Sequence, residues 1–140
     1  MRLLITTPTA VVVDDSDVVA VRAEDESGSF GILRGHADFL TALTVSVVGW
    51  HRADDRKRYC AVRRGVLSMT DGREVSIATR EAIPGDELDH LEQVVLAEFR
   101  ESLEAERTAR IESVQLQMKA IRQIVRYLRP EPPGVFGDGL

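Results

Sequence analysis

The sequence predicts a mixed chain, β first and then α: an N-terminal antiparallel β-sandwich followed by a C-terminal two-helix hairpin. Three observations predict it. Up to about Thr79 the apolar residues come in short, β-branched runs. Clusters of Asp, Gly, Ser and Pro separate those runs. From Asp86 to Arg129 there is no Gly or Pro, and the apolar residues fall three and four apart.

The strand candidates, in order, are RLLITT, AVVVDD, DVVAVRAE, SVVGWHR, RYCAVRRG, VLSMT and EVSIAT. Asp71-Gly72 between the last two is a two-residue hairpin signal, because both central positions of a type I′ turn need positive φ. RADDRKR reads as a longer charged hairpin loop. Many short strands at this spacing suit an antiparallel sandwich rather than an α/β sheet. The sandwich is assigned to residues 1–84, the hairpin to 85–130 and a Pro- and Gly-rich disordered tail to 131–140.

Asp86 reads as the cap of the first helix, with acids filling its first turn. Leu88, Leu91, Val95, Phe99 and Leu103 put one apolar stripe on it. Ile111, Val114, Met118, Ile121, Val125 and Leu128 do the same for the second helix, which Pro130 ends. The join, EAERTARIE, has no turn residue, which leaves one long helix as the alternative. Residues 86–107 hold eight acids and two bases; residues 108–129 hold one acid and five bases. Either the two faces attract each other in the hairpin, or the basic helix has an acidic partner. Lys119, Arg122, Arg126 and Arg129 share one face beside the second stripe.

Bulk properties exclude several functions. With 140 residues, a net charge of −5 and a pI near 5.2, the chain lacks the basic surface of a general nucleic-acid binder. One cysteine, Cys60, forbids an internal disulfide and sits in an alternating run that reads as core. No segment has the apolar length to span a bilayer, so membrane association would come through a partner. His36, His51 and His90 lack metal-ligand spacing, and no Ser or Cys sits in a nucleophile context. Catalytic, cofactor and metal residues are therefore all expected to be absent.

The stretch GSFGILRGHADFLTAL, Gly28 to Leu43, has no Lys-Ser or Lys-Thr after its second glycine and so is not a phosphate loop. Gly28, Gly31 and Gly35 instead permit positive φ and close approach of another chain. The stretch resembles the signature of the epsilon subunit of F-type ATP synthases, typically Gly-x-x-Gly-Ile-x-Pro-Gly-His-Ala-Pro-Leu-Leu-Thr. VRRGVLSM and VSIATREAI support the resemblance, which covers nearly the whole chain. VVVDDSDVVAVRAEDESGSFGIL and RQIVRYLRP are similar to the epsilon subunit of the alternate ATPase complexes of some bacteria.

The resemblance implies a non-catalytic rotor subunit. It would sit against gamma and the c-ring, peripheral to the membrane on the cytoplasmic face. Its helices could reach the catalytic beta and alpha subunits and inhibit hydrolysis, through the Lys119 to Arg129 face. The docking residues carry over to Gly31, Gly35, His36 and Ala37, with Arg34, which could meet an acidic or carbonyl-rich rotor loop, and Phe39 in the same run. Arg34 and Asp38 depart from the family, which has proline at both positions; a looser loop is expected. Some family members bind ATP through Ile/Leu-Asp-x-x-Arg-Ala. This chain has Leu88 and Asp89, then Glu92 and Gln93. A carboxylate beside a triphosphate is repulsive, so no ATP binding is expected. The reading from another class is a free-standing β-sandwich ligand-binding module with a coiled-coil dimerisation tail.

Overall fold

The computed structural model describes residues 1–128; Arg129 and the expected tail, 131–140, lie outside the described residues. Eight strands come first: β1 Arg2–Thr6, β2 Val11–Asp15, β3 Val18–Asp25, β4 Gly28–Leu33, β5 Phe39–Arg52, β6 Lys57–Thr70, β7 Glu74–Ala78 and β8 Ala82–Gly85. They join in the order β2-β1-β7-β6-β5-β3-β4, with β8 on the other half of β6. All pairings are antiparallel except β1 with β7.

The expected sandwich is present, and two long strands organise it. The ladder of β5 and β6 runs from Phe39 against Met69 to His51 against Lys57. The Val66–Thr70 half of β6 carries β7, while its Tyr59–Val62 half carries β8. Leu3, Ile5, Val75 and Ile77 of one layer thereby meet Val21, Ala23 and Ile32 of the other in a single core. Each of these side chains except the smaller Ala23 contributes about 1.5–3 kcal/mol on burial.

The bend in β6 lies at Arg64 and Gly65, with φ of +59° and +147°. A Cβ on Gly65 would stand 2.3 Å from the Ala78 carbonyl oxygen, so only glycine lets β7 approach. The buried Thr79 hydroxyl reaches the carbonyl oxygens of Arg63, Arg64 and Glu81, which fixes the corner from the other side. The Asp15 carboxylate ties a second corner, accepting from Trp50 Nε1 at 3.1 Å and facing Arg52 Nε at 3.2 Å.

Three strand features differ from the sequence expectation. GSFGIL forms β4 despite its glycines. RYCAVRRG and VLSMT are one strand, β6. AIPG, where the β region was expected to close, is β8, an edge strand on which Pro84 is tolerated. Asp71 and Gly72 take the expected positive φ, +55° and +65°, but Thr70 pairs with Glu74, so the connection holds three residues, Asp71 to Arg73, rather than two.

The α region follows as α1 Leu88–His90, a π-helical stretch Leu91–Val95 and α2 Leu96–Leu128. The expected hairpin is therefore replaced by continuous helix through EAERTARIE, which lacks any residue to stop it. The N-cap is Glu87 rather than Asp86, and it makes no side-chain cap hydrogen bond.

The chain divides into two compact units, Met1–Glu101 and the part from Ser102 onward. In the first, Leu91, Val95, Leu96 and Phe99 pack on Ala61, Val45, Val47 and Tyr59, the outer face of β5 and β6. Leu91, Val95 and Phe99 are thus already covered and cannot receive the second stripe, as a hairpin would require. In the second unit that stripe is exposed, from 47% at Met118 to 70% at Leu128.

Candidate docking site

The glycine-bracketed stretch enters the site along β4 and leaves it along β5. Gly31 lies inside β4, paired with Arg22, and does not take positive φ. A Cβ there would meet only the Val21 carbonyl oxygen at 3.9 Å, so the fold itself does not require this glycine. Gly28 and Gly35 do take positive φ, at +119° and +86°. Arg34, Gly35, His36, Ala37 and Asp38 are all exposed and form the link between the two strands.

The link is held by short contacts. Within it, the His36 amide donates to the Leu33 carbonyl at 3.1 Å, and His36 Nδ1 lies 2.7 Å from the Ala37 carbonyl oxygen. The His36 ring stands 4.9 Å from the half-buried Phe39 ring, which meets Phe30 edge-on at 6.0 Å. Two further bonds run to the β6–β7 hairpin. The Gly35 amide donates to the Gly72 carbonyl at 2.8 Å. Asp38 Oδ1 accepts from the Asp71 amide, also at 2.8 Å. The loop that the loss of two prolines was expected to loosen is therefore bonded to its neighbour.

Exposed apolar side chains flank it, Leu33 at the end of β4 and Leu40 at the start of β5, the latter 72% exposed. Nearby, the Asp25 carboxylate accepts from Thr41 Oγ1 at 2.8 Å and from the Ser27 amide at 2.9 Å. The Ser27 hydroxyl also bonds to it, and these bonds hold its carboxyl below the usual range.

The structure thus brings Gly35, His36, Ala37, Arg34 and Phe39 into one edge and leaves Gly31 in the adjoining strand. Sequence reasoning carried the loop over to Asp38 only as a departure from the family, and it did not single out Leu33, Leu40 or the contact with the Asp71-Gly72 tip. The tip was visible only as a turn; nothing in the spacing signalled its partner. Lys119, Arg122 and Arg126 are exposed on α2 in the second unit. Arg129 lies outside the described residues.

Cys60 is buried, and desolvation pushes its thiol up to about 12. Among the described residues no three His, Cys, Asp or Glu side chains gather as metal ligands. A cleft of about 980 Å³ lies between the outer face of β3, β4 and β5 and the helix start, and Arg22, Glu24, His51, Lys57, Glu92 and Arg100 line it with both charge signs. Glu92 is exposed in the π-helical stretch. No described helix is long and apolar enough to cross a membrane.

Comparison with known proteins adds independent information. Residues 1–85 match the model of the ATP synthase delta/epsilon chain β-sandwich domain. An ATP synthase epsilon chain 2 of Paraburkholderia xenovorans is 47% identical over 93% of this chain and 94% of its own length. An ATP synthase epsilon chain 2 of Cereibacter sphaeroides is 41% identical over 94% of this chain and 90% of its own. Among solved structures, a chain of the Euglena gracilis mitochondrial ATP synthase, determined with its c-ring, superposes with a TM-score of 0.58. It is 23% identical, with 76% of this chain and 62% of that one covered, which is a likeness of fold.

Proposed function

Because the chain belongs to the ATP synthase delta/epsilon family, we propose that it is the non-catalytic epsilon subunit of a rotary ATP synthase, docked through its sandwich on gamma and the c-ring. The observation that carries this reading is the extent of the likeness. The relatives named as epsilon chains match through the helix as well as the sandwich, so the chain has both parts of such a subunit. In it, the Arg34 to Phe39 edge with Leu33 and Leu40 supplies the contact with the ring. The unit works by contact, at the cytoplasmic face of the bacterial plasma membrane, and couples rotation of ring and gamma to ATP synthesis or hydrolysis.

The helix from Ser102 onward has a different task. Its exposed apolar stripe and adjoining bases need a partner with an apolar groove and acidic flanks. The catalytic beta and alpha subunits are assigned that part, and restraint of hydrolysis follows from it. A free-standing ligand-binding module is not favoured, since relatives named for the synthase cover nearly the full chain.

Size-exclusion chromatography with and without gamma tests the reading. A stable one-to-one complex with gamma, which then joins the c-ring, is the expected result. A homodimer indifferent to gamma would overturn it.

A further inference from the structure

We infer that Asp38 and Gly72 are positioning residues, which clamp the Arg34 to Asp38 link to the β6–β7 hairpin and present both as one pre-ordered docking edge. The inference rests on the proposed function for the identity of the partner, the ring and gamma assembly.

Three observations meet at this point. The Gly35 amide donates to the Gly72 carbonyl at 2.8 Å. Asp38 Oδ1 accepts the Asp71 amide at 2.8 Å, across 33 residues of sequence. A Cβ added to Gly72 would stand 2.9 Å from Gly35 Cα, with backbone on the far side and no flexible side chain to yield. Two loop tips therefore touch backbone to backbone, and the contact is closed at each side by a hydrogen bond. Both central residues of the hairpin already hold positive φ, so its shape is fixed before the link arrives.

The consequence concerns the cost of docking. A loop that is ordered only on binding spends conformational entropy at that moment, which weakens association. In this chain proline is absent at both places where the resembling family has it, so the link lacks that source of stiffness. The Asp38 carboxylate supplies order by a different route, through a bond to a neighbouring rigid hairpin. Its role is as an acceptor, not as a charge: the Asp71 amide is what it meets. By the same geometry, the exposed Thr70, Asp71 and Arg73 of the hairpin belong to the docking edge beside His36 and Ala37.

The test uses the full chain in two assays. Amide hydrogen exchange of Gly35 and Asp71 in the free chain reads the clamp. Affinity for the gamma and c-ring subcomplex reads docking. Asp38→Ala should leave the sandwich folded, expose the Asp71 amide to exchange and weaken binding about tenfold, the scale of one lost hydrogen bond. Asp38→Asn keeps the acceptor oxygen and should restore both. Gly72→Ala should also weaken binding through its clash with Gly35. Ala37→Trp leaves every clamping atom in place and should block binding by bulk alone. Protection of the Asp71 amide in Asp38→Ala would overturn the clamp. Lost protection with unchanged affinity would overturn its role in docking. Wild-type binding by Ala37→Trp would instead refute the docking reading itself.

Discussion

Replacing Gly65 with alanine should unfold the corner on which the two layers depend. The added Cβ would lie 2.3 Å from the Ala78 carbonyl oxygen and 3.1 Å from both Thr79 Cα and Thr79 Cβ. Ordinary contact begins at 3.4 Å, so the shortfall against the carbonyl is 3.4 − 2.3 = 1.1 Å. Neither neighbour can yield cheaply. Ala78 is paired with Val66, and the Thr79 amide is bonded to the Thr6 carbonyl at 3.0 Å. Overpacking of this kind costs about 1–3 kcal/mol. Holding an alanine at φ +147° adds a similar amount, about 1–3 kcal/mol. Together they imply roughly 4 kcal/mol, and hence a fall in Tm of at least ~10 °C for a unit of this size. Thermal unfolding followed by circular dichroism reads it. Gly31→Ala is the control, since its Cβ meets only one atom at 3.9 Å, and its Tm should stay within about 2 °C of the parent. A Gly65→Ala protein that melts with the parent would refute the steric argument.

Three further outcomes follow from the same structure. Cys60, buried and pushed up to about 12, should resist a water-soluble thiol reagent at pH 8 in the folded chain and react at once in denaturant; rapid labelling of native protein would count against its burial. Asp25 has its carboxyl lowered from 3.8 by its bonds to Ser27 and Thr41, so its contribution to stability is present above that value and lost as pH falls through the folded pKa. Asp25→Ala should therefore lower the denaturation midpoint at pH 7, with the gap to the parent closing below pH 3.8; a gap that persists in strong acid would contradict the assignment. Arg122→Ala with Arg126→Ala should raise ATP hydrolysis by the assembled complex, roughly fivefold if each exposed pair is worth about 0.5 kcal/mol, and deletion from Thr108 onward should do at least as much. Hydrolysis unaltered by both changes would remove restraint from the role of the helix.

Much of the fold was legible because its signals are local. Alternation along Leu3 and Ile5, or Val75 and Ile77, marks a buried face without knowledge of what lies opposite. Asp71-Gly72 declares its turn by itself. β4 was less legible, since Gly28 and Gly31 look like loop residues; the ladder to β3 overrides their propensity. β8 was hidden by Pro84, which an edge position tolerates. The helical hairpin followed from stripes that suit each other, and the stripe of the first helix turned out to serve the sheet. Periodicity shows which face is buried but does not name the surface that buries it. The candidate site divides in the same way. Arg34 to Phe39 could be read from a recognisable motif, whereas the bond from Asp38 to Asp71 joins residues 33 apart and has no sequence signature.

The long ladder between β5 and β6 has a mechanical meaning for a part that turns under load. Strands pulled apart from one end lose their hydrogen bonds one after another. Strands pulled along their length must lose them together, which takes far more force. From Phe39 to His51 this ladder is interrupted only at Thr44 and Arg64, and the proposed docking edge sits at one end of it, where the link enters Phe39 and the hairpin leaves Thr70. A tug on that edge along the strands thus meets the stiffest direction of the sandwich. The helix start rests on the same two strands at Val45, Val47, Tyr59 and Ala61. Between that end and the base of the helix the ladder turns at the Arg64-Gly65 bend, so a load passed along the strands bears on the corner that Gly65 and the Thr79 hydroxyl hold.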